Sequence, residues 1–445
     1  MPETHSGSSM YIAALQGRLE RMLPEALDVL REMVNTNSFT RNAAGVDRVG
    51  DLTWQLFESL GFTADRPQAI DCTMEARPAM GRHLLMTRPG RSGLRIGLTG
   101  HLDTVFTEQE EREHDFRWRE EGERIYGPGT VDMKGGNVLS WMVLAAIREV
   151  HPALFDEVTW VVMFNAAEEG LDSDFGVHAR RCLGPGVSPG GNPGVNPGAL
   201  ANLVFEGGHL VEGEHRLLVK RKGSARLRIR ARGRGAHAGV WHERGANAIV
   251  QLIDCLGQTA KLTDYERELT CNIGVIRGGM APNRVPDFAE ALVELRAYDP
   301  AVLEQAIAEG LRIDGMSTVC SAADGYAARV EAHCEKHLPP WASNAGSDRL
   351  AAMWREAGAR LGMAVVGTSR GGLSDGNHTY DVVPTLDGLG PAGGNSHSCI
   401  RAADGSVDQE FMLPSTFVPR AAMTALAVER LVAEAGKAGR GGGVV

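Results

Sequence analysis

The sequence predicts an α/β fold, a mixed and mostly parallel sheet flanked by helices, with a smaller α+β domain inserted into it. Three observations carry this expectation. The apolar runs Leu94 to Leu98, Val158 to Phe164 and Leu200 to Phe205 have no polar face, as strands buried on both sides require. Helix-like spacing from Asn137 to Val150 separates the first two runs, the alternation of a parallel sheet with crossover helices. Residues 224–335 then change period altogether.

Taken in order, Val49, Leu52, Leu56, Phe57 and Leu60 recur at helical spacing, and Gly61 supplies a C-terminal stop. The three apolar strands follow. In the next region Ala225, Leu227, Ile229 and Ala231 alternate with Arg226, Arg228, Arg230 and Arg232, the period of a strand with one wet face. A helix at about 244–260, strands near 270–278 and 288–298, a helix after Pro300 and a strand near 326–335 complete the order βαββαβ, that of a ferredoxin-like sandwich. Beyond Leu338 a helical stretch (346–361) and the apolar Val382 to Leu386 resume the first pattern. Residues 1–216 and 337–445 are therefore expected to form one domain and 217–336 the insert. The Gly/Pro-rich stretch 182–200 reads as a surface loop and the terminal GKAGRGGGVV as a frayed end.

A chain of 445 residues with 43% apolar content can bury the cores of two or three domains. Its formal charge of -10 and dispersed basic residues give no footprint for a polyanion, so nucleic acid is not an expected partner. No window approaches the ~20 consecutive apolar residues that span a bilayer, and the first residues lack a positive region followed by an apolar core. The expectation is a soluble cytoplasmic protein without a membrane partner. Seven cysteines without a C-x-x-C pair suit reduced, structural thiols.

Chemistry concentrates where the apolar runs end. GLTGHLDTV puts His101 and Asp103 just past one run, at the sheet edge where α/β folds place ligands. Alone, the pair reads equally as a strand-end histidine bonded to a turn carboxylate or as a metal ligand with an orienting acid. In GPGTVDMKGG, Asp132 either caps the following helix or serves a site, and the turn lacks phosphate-loop spacing. VTWVVMF runs into NAAEEG and delivers Glu168 and Glu169 together; ANLVFEGG delivers Glu206; GPAGGNSHS offers His397 after Val382 to Leu386. Buried carboxylates are costly unless compensated. Histidine nitrogens and carboxylate oxygens without thiolate suit zinc, cobalt or manganese, and the set fits a two-metal hydrolase with one bridging carboxylate.

The ordered motifs GHLDTV, GPGTVDMKGG, NAAEEG, VFEGG, GRGAHAG, GGLSDGN and PTLDGLGPAGGNSHS resemble the metallopeptidase family of bacterial glutamate carboxypeptidase, acetylornithine deacetylase, succinyl-diaminopimelate desuccinylase and aminoacylase, over roughly residues 20–435. The resemblance implies two Zn2+ per chain, with Co2+ or Mn2+ as alternatives. Asp132 would bridge them, Glu169 and His397 would complete one site, and His101 and Glu206 the other. It implies Glu168 as the general base of a dizinc-activated water, Asp103 as the acid orienting His101, and His237 of GRGAHAG as a stabiliser of the oxyanion. Asn283, Arg296, Gly371 and Gly372 would bind a substrate carboxylate. It further implies cleavage of an amide next to that carboxylate in an N-acyl amino acid or short peptide. The insert would be a lid through which a homodimer forms. Read without the resemblance, His237 fits a structural turn histidine better than a catalytic one, and Arg296 fits an exposed strand arginine as well as a carboxylate clamp. Two departures stand out: Gly170-Leu171-Asp172-Ser173 after the paired acids, and His378 in SDGNHT where relatives often have an aromatic residue.

Two rival readings compete with this one. Gly372-Leu373-Ser374-Asp375-Gly376 matches G-x-S-x-G, with Asp387 and His397 following, but a nucleophile elbow needs a strand running straight into the serine. A non-catalytic, metal-bound peptide-binding protein has no use for a second carboxylate beside the donor Glu169.

Overall fold

The computed structural model describes residues 3–70, 80–170, 173–186, 198–402 and 405–441. They divide into two compact units, one of residues 1–219, 343–369 and 374–445 and one of residues 220–342 and 370–373. Leu171, Asp172, Cys72 and most of the Gly/Pro-rich stretch lie outside the described residues.

The larger unit is built on a six-stranded sheet in the order Thr63–Asp65, Leu84–Arg88, Thr159–Asn165, Arg95–His101, Ala201–Val204, Thr385–Leu386. The last four strands run parallel, and Leu84–Arg88 pairs antiparallel with its neighbours. Successive side chains of a strand point to opposite faces, and each face here has its own core. Trp160, Val162 and Phe164 join the large cluster with residues of the helices Glu3–Val34, Ala43–Glu58, Lys134–Val150, Ala345–Arg360 and Phe417–Gly441. Val161 and Met163 pack instead against Phe175, Ala179 and Leu183 of the helix Phe175–Leu183. Both faces being covered is why these strands read as unbroken apolar runs.

The helix Ala43–Glu58 starts at Asn42, whose side chain accepts from Gly45 N–H, and ends before Gly61, whose φ of 83° reverses the chain. The last helix departs from the sequence reading: it continues through Lys437 to Gly441 rather than fraying from 436, and residues 442–445 lie outside the described residues. A second sheet in this unit orders Gly393–Arg401, Val407–Met412, Arg124–Tyr126 and Arg119–Glu121, each neighbour antiparallel.

The smaller unit is an antiparallel sheet in the order Thr270–Gly278, Phe288–Ala297, Gly223–Arg232, Arg329–Leu338. Ala225, Leu227, Ile229 and Ala231 face the helices Ala248–Thr259 and Pro300–Gly310, through Leu252, Leu256, Leu303 and Ile307 among others. With the helices in place the chain order is βαββαβ. The segment 370–373, remote in sequence, belongs to this unit. Among the described residues no helix is long and apolar enough to cross a membrane.

Candidate metal centre

Three of the five candidate donors, His101, Glu169 and Glu206, stand at or just past the ends of parallel strands, and Asp132 lies in the turn between Arg124–Tyr126 and the helix Lys134–Val150. His101 is the last residue of Arg95–His101 and fully buried. Its Nε2 lies 3.1 Å from Asp132 Oδ1 and 3.6 Å from Glu206 Oε1. Its Nδ1 is 3.0 Å from the Asp103 carbonyl oxygen and 3.4 Å from Asp103 Oδ1, so the ring is oriented mainly by main chain. Asp132 does not cap the helix it precedes: Met133 occupies the cap position and no side chain bonds there. Its two oxygens face different histidines, Oδ1 toward His101 and Oδ2 3.5 Å from His397 Nε2. Glu169 Oε2 is 3.0 Å from the same His397 nitrogen.

His397 lies inside a strand rather than past the end of one. It sits within Gly393–Arg401 of the second sheet, not at the end of Val382 to Leu386 as the sequence suggested. The register slips between Gly394 and Cys399, and Asn395 and His397 adopt φ of 56° and 67°, which turns the imidazole toward Asp132 and Glu169.

Two groups of ligand atoms result, His101 with Asp132 and Glu206, and Asp132 with Glu169 and His397, each within 4.8 Å. Their electrostatics are unbalanced. Burial and the Asp132 charge push the Glu169 carboxyl up to about 8 against the pull of its bond to His397. Burial and Asp132 likewise hold Glu206 well above the ordinary carboxylate range. Burial would raise Asp132 too, but its bonds to His101 and His397 outweigh it and hold that carboxyl well below the range. Its bonds to Asp132 and Glu169 carry His397 up to about 11. Three carboxylates and two imidazoles, His101 buried and His397 exposed at the rim, with no thiolate among them, fit borderline divalent cations.

The paired acids are set by their surroundings. Past Asn165 the chain turns, with Ala167 N–H donating to Asn165 Oδ1 and Ala166 N–H to His83 Nδ1. The Glu168 and Glu169 N–H groups donate to Asp103 Oδ1 and Oδ2, both at 3.1 Å, and the Thr40 hydroxyl donates to Oδ2 at 2.6 Å. Asp103 therefore serves the acid pair as much as the histidine.

Three contributors escaped sequence reasoning. Thr40 stands in a loop, Glu410 in a short strand whose pattern gives no inward face, and Asp375 inside a motif that drew attention to its serine. Asp375 is buried and accepts from Asn165 Nδ2 at 2.8 Å, and burial together with the charge of Glu168 raises its carboxyl well above the usual range. Ser374 itself is buried and donates to Asp387 Oδ2 at 2.7 Å, with a short 3-10 helix after it. No imidazole stands between that hydroxyl and the acid, which removes the serine-hydrolase arrangement.

Within the smaller unit, His237 is exposed, its Nδ1 accepts from Gly239 N–H, and Ala238 N–H donates to the Asn283 carbonyl at 2.9 Å, so His237 and Asn283 are neighbours. Arg296 bonds Glu294 Oε1 at 2.8 Å and reaches the Gly371 carbonyl at 3.4 Å, while Arg221 donates to the Gly372 and Leu373 carbonyls. These contacts bring Gly371 and Gly372 to Arg296.

Residues 97–408 match the model of peptidase family M20/M25/M40. The chain belongs to this family. As a family member it is a hydrolase of the peptidase and amidohydrolase class. This M20/M25/M40 chain is 26% identical to carboxypeptidase G2 of Pseudomonas sp. (strain RS-16) over 379 residues, 84% of this chain and 83% of the relative. It is 24% identical over 336 residues to acetylornithine deacetylase of Salmonella paratyphi B, 71% and 78% of the two chains. In fold it is similar to a tripeptidase from Staphylococcus aureus (TM-score 0.66, 19% identity, 92% of this chain and 98% of that one). It is also similar to an M20 family metallo-carboxypeptidase from Sulfolobus solfataricus (TM-score 0.64, 14% identity, 92% and 99%).

Proposed function

We propose that this family member is a metal-dependent hydrolase of an amide bond next to a free carboxylate, a carboxypeptidase or N-acyl-amino-acid deacylase. The observation that carries the reading is the pair of donor groups sharing Asp132. His101 and Glu206 would hold one zinc ion and Glu169 and His397 the other, with Asp132 shared between the two donor groups; Co2+ or Mn2+ would suit the same donors. Bound divalent cations would supply Lewis acidity toward the amide carbonyl and toward a water near neutral pH. Glu168, beside a donor but in neither group, takes a proton from the attacking water and delivers it to the amine nitrogen as the C–N bond breaks. His237 donates to the oxyanion. Arg296, with Asn283, Gly371 and Gly372, holds the substrate carboxylate, for which a planar guanidinium is suited. The names of the similar carboxypeptidase and deacetylase support this substrate class.

The larger unit is the catalytic domain in this reading, and the smaller one is a lid that joins two copies. Val250 and Ile253 on the helix Ala248–Thr259, and Ile276 on the strand Thr270–Gly278, are exposed apolar side chains that support such pairing. The deciding experiment assays N-acyl amino acids after chelation, after zinc restoration and after a serine-directed fluorophosphonate. Turnover lost on chelation, restored by zinc and indifferent to the fluorophosphonate is expected; turnover that survives chelation overturns the reading. For the dimer, inactive His237→Ala and Glu168→Ala proteins are mixed under subunit exchange. Regained activity is expected if His237 serves its partner's site, and inactivity despite heterodimers detected by mass excludes that arrangement.

A further inference from the structure

One more carboxylate is committed to the same place without belonging to either donor group. Glu410, on the strand Val407–Met412, is fully buried. Its Oε1 accepts from the N–H groups of Val131 at 2.9 Å and Asp132 at 3.1 Å, and the Thr130 hydroxyl lies 3.5 Å away. Its Oε2 is buried and has no hydrogen-bond partner among the described residues. All of the side chain's bonds thus pass through one oxygen to one turn. The strand behind it is fixed on both edges, to Ile125 and Tyr126 on one side and to the strand bearing His397 on the other. Gly127 N–H closes the turn on the Glu410 carbonyl at 3.2 Å.

Two consecutive peptide N–H groups aimed at a single acceptor fix both peptide planes, and with them the direction in which the Asp132 side chain leaves the backbone. That direction matters more here than for an ordinary ligand, because the Asp132 oxygens must face His101 on one side and His397 on the other. We propose that Glu410 is a positioning residue that holds Asp132 astride the two donor groups and ties its turn to the strand carrying His397. The proposal rests on the dinuclear metal-centre reading above.

The test uses metal-stripped full-length protein and measures zinc stoichiometry and affinity by chelator competition, with the visible spectrum of the cobalt-loaded protein as a second readout. Glu410→Gln keeps an acceptor oxygen at the same reach. Glu410→Asp keeps the charge but withdraws the oxygen by one C–C bond, ~1.5 Å. Glu410→Ala removes both. The expected result is two zinc ions in the wild type and in all variants at saturation, with affinity for the weaker ion within about threefold of wild type in Glu410→Gln. In Glu410→Asp and Glu410→Ala that affinity falls at least ~10-fold, the scale of lost outer-shell support, with an altered cobalt spectrum. If Glu410→Ala does not fold, Glu410→Asp carries the comparison. Any other ranking, in particular a Gln variant as weak as Ala or an Asp variant as tight as wild type, overturns the positioning role. A wild-type chain that binds fewer than two ions overturns the metal-centre reading itself, and this proposal with it.

Discussion

The donor cluster of the larger unit and the open face of the smaller unit's sheet are both built from acids and bases, yet they balance charge in opposite ways. On the sheet face every arginine of the alternating run from 228 to 232 has a carboxylate on a neighbouring strand. Arg228 lies 2.7 Å from Glu290 and also pairs with Glu335, Arg230 lies 2.8 Å from Glu290, and Arg232 lies 3.5 Å from Glu331. The exposed pair of Arg232 and Glu331 is worth little, and the more shielded Arg228 and Arg230 are matched by Glu290 and Glu335, so no charge is left over. In the cluster, the largely shielded Asp132, Glu169 and Glu206 crowd against the buried His101 and the exposed His397, and repulsion among them is relieved by protons or by a cation. Surplus charge in a buried place, not charge as such, separates chemistry from scaffolding in this molecule.

That contrast can be broken most sharply at Glu168. Glu168→Gln is expected to keep two metal ions per chain and to lose at least ~10²-fold in turnover, the usual scale for a general base; lost metal or unchanged turnover refutes the role. An intermediate effect is expected at Thr40→Val, which leaves the buried Asp103 carboxylate without its 2.6 Å hydroxyl donor. A hydrogen bond to a charged group contributes about 1.5–3 kcal/mol, so the unfolding free energy in urea should fall by that order and turnover should fall with it. A variant indistinguishable from wild type in both shows that Asp103 does not depend on Thr40. The smallest effect is expected on the sheet face: Arg230→Ala should cost no more than about 1 kcal/mol and leave turnover untouched. A larger loss would mean that the open face is not merely solvated.

What the sequence disclosed follows the same physics. Strands covered on both faces print themselves as apolar runs, so the ends of Arg95–His101, Thr159–Asn165 and Ala201–Val204, and with them His101, Glu168, Glu169 and Glu206, were readable without coordinates. The alternating strand Gly223–Arg232 was equally plain, because one of its faces is wet. His397 was found as a residue but assigned to the wrong element, since GGNSHSCIR shows neither period and its turn comes from a register slip that only pairing with Val407–Met412 reveals. Glu410 and Thr40 were silent: a glutamate in DQEFM and a threonine in NSFT look like surface positions until the turn and the carboxylate they bind are brought to them from far along the chain. The attachment of residues 370–373 to the smaller unit depends on carbonyls gripped by Arg221 and Arg296, and no local pattern records that.

That His397 is carried by a strand lying beyond the insert also sets an order in time. On the ribosome the chain emerges from its N-terminus, so every member of the group His101, Asp132 and Glu206 has been synthesised before the insert begins, whereas the group of Asp132, Glu169 and His397 waits for the insert and the strand Gly393–Arg401. A nascent chain therefore owns one set of candidate ligands long before it owns the second, and a metal ion captured early would meet a half-built centre.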